Sequence, residues 1–159
     1  MLKYFLSYAL FLGLSASAQI LNCDTNWTLP MAPPVELSAG FGDLRPNHFH
    51  MGIDIRTAGK ENLPIYAIAD GYVSRLKVSS VGYGWVLYID HPNGYTSVYA
   101  HCNRFAERIQ KLYLDTSAVR FQNELDILLA PNQLPVQKGA QIAFSGNTGG
   151  GHSKRSPEM

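Results

Sequence analysis

Charge is scarce in this chain and evenly balanced. Of 159 residues, 16% are charged, with a formal net charge of +1. A general nucleic-acid binder needs a basic face to neutralise phosphates, so nucleic acid is not an expected partner. There is no stripe of Arg and Lys with interleaved aromatics. No glycine-rich loop ends in Lys-Ser or Lys-Thr, the pattern that cradles nucleotide phosphates. Internal repeats are absent. A long hydrophobic run occurs only near the start, from Tyr4 to Leu14. It is too short for a comfortable membrane span. Cysteine is limited to Cys23 and Cys102. They either pair in an oxidising compartment or remain two buried thiols, and sequence alone leaves both open.

What is present supports one domain with a leader. Hydrophobic residues make up 46% of the chain, enough for a core and too many for wholesale disorder. Residues 1–18 read as a secretory signal peptide. Lys3 is the positive start, Tyr4 to Leu14 the apolar run, and Ala16-Ser17-Ala18 the small-residue cleavage site. The chain is therefore expected to be exported, to a periplasmic or extracellular location, with no membrane span after cleavage. Asn22 before Cys23 speaks against a lipidated cysteine. Residues 19–36 form a proline-rich, extended leader. The domain proper is expected over residues 37–150, with an atypical polar tail at 151–159.

Inside the domain the patterns are mainly β. Asp70-Gly71 lies between two apolar runs and predicts a hairpin turn. Val86 to Ile89 is rich in β-formers, "HPNG" supplies a turn, and "YTSVYAH" runs back. Strict alternation along that returning strand puts Tyr95, Ser97, Tyr99 and His101 on one face. Thr96, Val98, Ala100 and Cys102 then share the other, with Ala100 and Cys102 toward the core. "NRFAERIQKLYLD" spaces Phe105, Ile109 and Leu112 at helical intervals, and Asn103 is placed to cap that helix. "ELDILLA" fits helix or strand. "VQKGAQIAFSG" reads as a glycine turn and a short strand.

The chemistry concentrates in "NHFHMGIDI". His50 and Asp54 are four residues apart, but Gly52, Ile53 and Ile55 disfavour a helix. On a straight strand they would stand roughly 13 Å apart, too far to share a metal held by bonds near 2 Å. Sharing one ion requires a bend, which is cheapest at Gly52. His48 and His50 also form an H-x-H pair, although an exposed or core-edge His48 is the plainer reading. His101 is placed to move protons or stabilise an oxyanion if its strand crosses near His50. His91, beside the "HPNG" turn, is expected at the surface.

"HMGID", within "FGDLRPNHFHMGIDI", resembles the opening motif of the lysostaphin/LytM-type zinc metallopeptidases. "AIADGYVS", "GYGWVLYIDHPNGYTSVYAH" and "VQKGAQIAFSGNTG" resemble the following blocks in the same order, together covering roughly residues 37–150. The resemblance implies a small antiparallel β domain with a short helical insertion and a groove for an extended peptide. It implies zinc held by His50 and Asp54, and His101 as the catalytic histidine. Its implied substrate is the peptide of cell-wall peptidoglycan. Tyr83, Tyr95 and Tyr99 either line the groove or are ordinary sheet aromatics.

The family pattern continues after "GNTG" into an H-x-H strand that carries the third zinc ligand and a second catalytic histidine. This sequence reads "GNTGGGHSKRSPEM", in which His152 is followed two positions on by Lys154. Two functions follow as alternatives. One is an exported zinc peptidase impaired by that loss. The other is a degenerate, non-catalytic module that binds peptidoglycan or a partner hydrolase.

Overall fold

The computed structural model describes residues 26–46, 48–131 and 133–149. The expected signal peptide, Cys23, His152 and the 151–159 tail lie outside the described residues. No helix among the described residues is long and apolar enough to cross a membrane.

The architecture is mainly β and wholly antiparallel. A two-stranded sheet pairs β1 (Leu37–Ala39) with β2 (Asp54–Ile55). A seven-stranded sheet contains β3 (Pro64–Tyr66), β4 (Gly71–Val78), β5 (Trp85–Asp90), β6 (Thr96–Phe105), β7 (Leu125–Leu128), β8 (Pro135–Val136) and β9 (Gln141–Ser145). Its spatial order is β3-β9-β6-β5-β4-β7, with β8 also on β4. The helix α1 (Glu107–Arg120) is inserted between β6 and β7.

The "HPNG" turn joins β5 to β6 as a hairpin, closed by His91 N–H to the Tyr95 carbonyl. Asp70-Gly71 does not join a hairpin. β3 pairs with β9, and β4 pairs with β5, β7 and β8. Five residue steps, Tyr66 to Gly71, connect strands that stand four positions apart in the sheet order. Five steps reach about 17 Å, whereas four strand spacings on a flat sheet need about 19 Å. The sheet is therefore curled. The curl is closed by the turn after β8, where Ala67 bonds both Gly139 N–H and the Ala140 carbonyl.

The core fills this curl with Val73, Leu76, Leu87, Ile89, Tyr99, Cys102, Phe105, Ile142 and Ala143. α1 closes one end. Ile109 and Tyr113, one turn apart on its inner face, are buried, and Tyr113 packs on Trp85 with ring centroids 4.8 Å apart. The predicted Asn103 cap is not formed. Residues 103–105 continue β6 because Phe105, 1% exposed, pairs with Ala143 in the sheet. The helix starts after Ala106, and the Gln110 side chain takes the Phe105 N–H instead. "ELDILLA" resolves as strand: Leu125 and Ile127 face the core while Asp126 and Leu128 face outward.

Candidate metal centre

The segment before β2 folds back on itself. Gly42 N–H donates to the His50 carbonyl, His50 N–H donates to the Asp43 carbonyl, and Leu44 stands opposite Phe49. From Phe49 to Asp54 exposure alternates residue by residue. Phe49, Met51 and Ile53 face solvent, while His50, Gly52 and Asp54 are half-buried. The chain bends at Gly52. Pairing of Asp54 with Ala39 in β1 fixes the far end. As a result His50 Nε2 and Asp54 Oδ1 are 3.3 Å apart, against roughly 13 Å for a straight strand.

The orientation of His50 is set from behind. Its Nδ1 lies 2.8 Å from the Gly40 carbonyl, and a carbonyl only accepts, so Nδ1 carries the proton. Gly40 is in turn held by its own N–H on Asp43 Oδ2, at 2.8 Å. In the neutral ring Nε2 then presents a lone pair to a carboxylate oxygen. Two acceptors facing each other at that distance call for a cation between them, either a proton or a metal. Two donors on one tetrahedral zinc, with bonds of about 2.0–2.1 Å, stand about 3.3–3.4 Å apart. The pair therefore fits zinc, with the ring tautomer fixed by a carbonyl as metal-binding histidines require. The other oxygen of Asp54 is taken by Arg45 Nη2 at 2.8 Å. Arg45 and the Gly40 carbonyl were not singled out from sequence. Arg45 lies nine residues from Asp54, and no local periodicity links them.

No third His, Cys, Asp or Glu joins His50 and Asp54 among the described residues. His48 is exposed, one position outside the alternating stretch.

His101 owes its position to a bulge. Leu87 pairs with Tyr99 and Trp85 with Cys102, so three steps on β6 match two on β5. His101 takes the left-handed conformation, with φ of 57°, and its extra residue breaks the alternation. This overturns the simple face assignment. Tyr99 turns inward, 8% exposed, and its hydroxyl accepts Ile68 N–H at 3.0 Å. Val98, expected with the core residues, is exposed. Tyr99 is thus a core residue and not a groove residue. Tyr83 is exposed and meets the His101 ring edge to face, while Tyr95 packs edge-on against Trp27.

His91 and Cys102 are both buried, and His91 is not a surface residue. Its Nδ1 bonds the Asp70 carbonyl and its Nε2 the Ser97 hydroxyl, both at 2.8 Å. The ring thereby ties the β3–β4 connection to the β5–β6 hairpin. Cys102 is a buried free thiol, and burial pushes its pKa up to about 12.

Residues 48–113 match the model of Peptidase family M23. Among solved structures the chain is similar to a zinc containing peptidase from Vibrio cholerae, with 21% identity and a TM-score of 0.52. That likeness covers 79% of this chain and 33% of the other, so the chain spans about a third of that protein's length. At this identity it shows the fold. No curated protein matches the chain.

Proposed function

With residues 48–113 as a segment of the LytM-type M23 peptidase family, we propose that this chain is an exported zinc metallopeptidase domain. Its substrate is the peptide part of cell-wall peptidoglycan. The observation that carries the reading is the 3.3 Å approach of His50 Nε2 to Asp54 Oδ1, with Nδ1–H already engaged by Gly40.

His50 and Asp54 hold the zinc ion in this reading. When bound, zinc polarises the scissile carbonyl and lowers the pKa of an attacking water. Arg45 takes the other oxygen of Asp54 and so turns the carboxylate with Oδ1 toward His50. His101 supplies an imidazole to take up and return a proton, or to stabilise the oxyanion. Exposed Tyr83 beside it offers an aromatic wall for an extended peptide.

Three protein ligands are usual for catalytic zinc, and the described residues contribute two. Zinc binding here is proposed to be weak and turnover impaired. The same observation favours a second reading, in which the domain binds peptidoglycan or a partner hydrolase without cutting.

The test is zinc stoichiometry in His50→Ala and Asp54→Asn, measured by elemental analysis on folded protein. Both variants are expected to hold less zinc than the wild type at the same free zinc concentration. Unchanged zinc content in His50→Ala overturns the site. Zinc binding with no cleavage of purified peptidoglycan supports the binding reading over the peptidase.

A further inference from the structure

We propose that Thr148 is the positioning residue that sets the tautomer of His101 and aims its ring. The inference rests on the role given to His101 above. His101 Nδ1 lies 2.8 Å from the Thr148 carbonyl. That oxygen has no proton to give, so Nδ1 carries the hydrogen. In the neutral ring the basic atom is then Nε2. An unconstrained imidazole favours the opposite tautomer, with the proton on Nε2, so the structure imposes the less common form.

A single carbonyl on a glycine-rich loop would hold a ring poorly. Here the loop is clamped by the threonine's own side chain. Thr148 Oγ1 accepts Trp85 N–H at 3.0 Å and donates to the Cys102 carbonyl at 2.7 Å. Those two partners flank His101 on both strands of its bulge: Cys102 follows it in β6, and Trp85 opposes Cys102 in β5. His101 N–H meanwhile donates to the Tyr83 carbonyl. Backbone and ring of His101 are thus tied to the 79–84 turn and the 146–149 loop, which are tied to each other.

The glycines in both segments make the approach possible. A Cβ on Gly84, at φ of +64°, would stand 2.3 Å from Thr148, and one on Gly149 would stand 2.3 Å from the Gly82 carbonyl oxygen. Neither contact can exist with a side chain present.

The experiment is a long-range proton–nitrogen correlation spectrum of the histidine rings in the full chain. It is recorded above the imidazole titration, for wild type, Thr148→Ser and Thr148→Val. The wild-type His101 is expected as the Nδ1–H tautomer. Thr148→Ser keeps the clamping hydroxyl and is expected to keep that tautomer. Thr148→Val removes the hydroxyl at nearly constant shape and is expected to shift His101 mainly to the Nε2–H form. A wild-type His101 protonated on Nε2 overturns the proposal, whether or not the valine variant folds. So does an unchanged Nδ1–H signal in folded Thr148→Val. The readout needs neither zinc nor turnover, so failure of the proposed peptidase activity is scored separately.

Discussion

His91 shows how much a single buried polar ring can hold. It takes up the Asp70 carbonyl and the Ser97 hydroxyl, and its removal takes that partner from the carbonyl while the hydroxyl keeps its bond to the Tyr99 hydroxyl. Gly71 lets it sit there, since a Cβ on that residue would stand 3.0 Å from His91 Nδ1 and 2.3 Å from the Asp90 carbonyl oxygen. His91→Ala combines a cavity with one unpaired carbonyl. It is expected to lower unfolding free energy by about 2–4 kcal/mol, read as a reduced urea midpoint. Zinc content should be unaffected, because His91 makes no contact with His50 or Asp54. A midpoint within error of wild type would mean the ring is replaceable by water.

At the scale of elements, the ends and irregularities decide what happens. α1 finishes on Phe121, which caps it in the left-handed conformation at φ of 53° while 95% of the residue is exposed. A side chain there adds strain and buries almost nothing. Phe121→Gly is expected to raise stability by about 0.5–1 kcal/mol, measured by thermal or urea unfolding; a loss of stability would show that the aromatic ring contributes more than its exposure implies.

The same irregularities mark where reading the sequence stopped short. The β5–β6 hairpin was legible because Asn93-Gly94 encodes its own turn. The His50–Asp54 approach was allowed by Gly52 but not required by it, and the resemblance of "HMGID" to a known motif was what singled the pair out. Asp70-Gly71 supplied turn chemistry too, but a turn does not say which strands pair across it, and here the partners lie far along the chain. The β6 bulge carries no residue signal, since its left-handed position is held by a histidine and not a glycine. That one unmarked residue misassigned Tyr99 and Val98 together. Asn103 looked like a cap because capping depends on residue type, whereas the strand continued because Phe105 found a deep place in the core.

For the whole molecule, pH acts through a few well-placed groups. Asp90 is held below the usual carboxylate range by hydrogen bonds, first from Thr96 and then from Ser74 and Tyr72. Asp126 is lowered by its hydrogen bonds from Arg75. Both bind protons more weakly folded than unfolded, so their contribution is present above the unfolded carboxylate pKa of about 3.9 and fades as pH falls below it. At the other extreme, burial raises Tyr99 and carries Cys102 to about 12. Their contribution is present below the unfolded values, about 8.5 for the thiol and about 10 for the phenol, and fades as pH rises past them. Stability is expected to be flat between about pH 5 and 8 and to fall on either side. Asp90→Asn should flatten the acid limb, and an unchanged acid limb in that variant would refute the assignment.

The curl of the sheet also has a consequence in time. β3 is made early, yet its sheet partner is β9, and Leu63 bonds Ser145 across 82 residues of chain. During synthesis those early residues wait, unpaired, until nearly the whole domain has emerged. Long-range pairing of this kind folds slowly, and it leaves an apolar strand edge open meanwhile. Any factor that keeps the nascent chain extended would have a defined interval in which to act, one that closes only when Gln141 to Ser145 arrives.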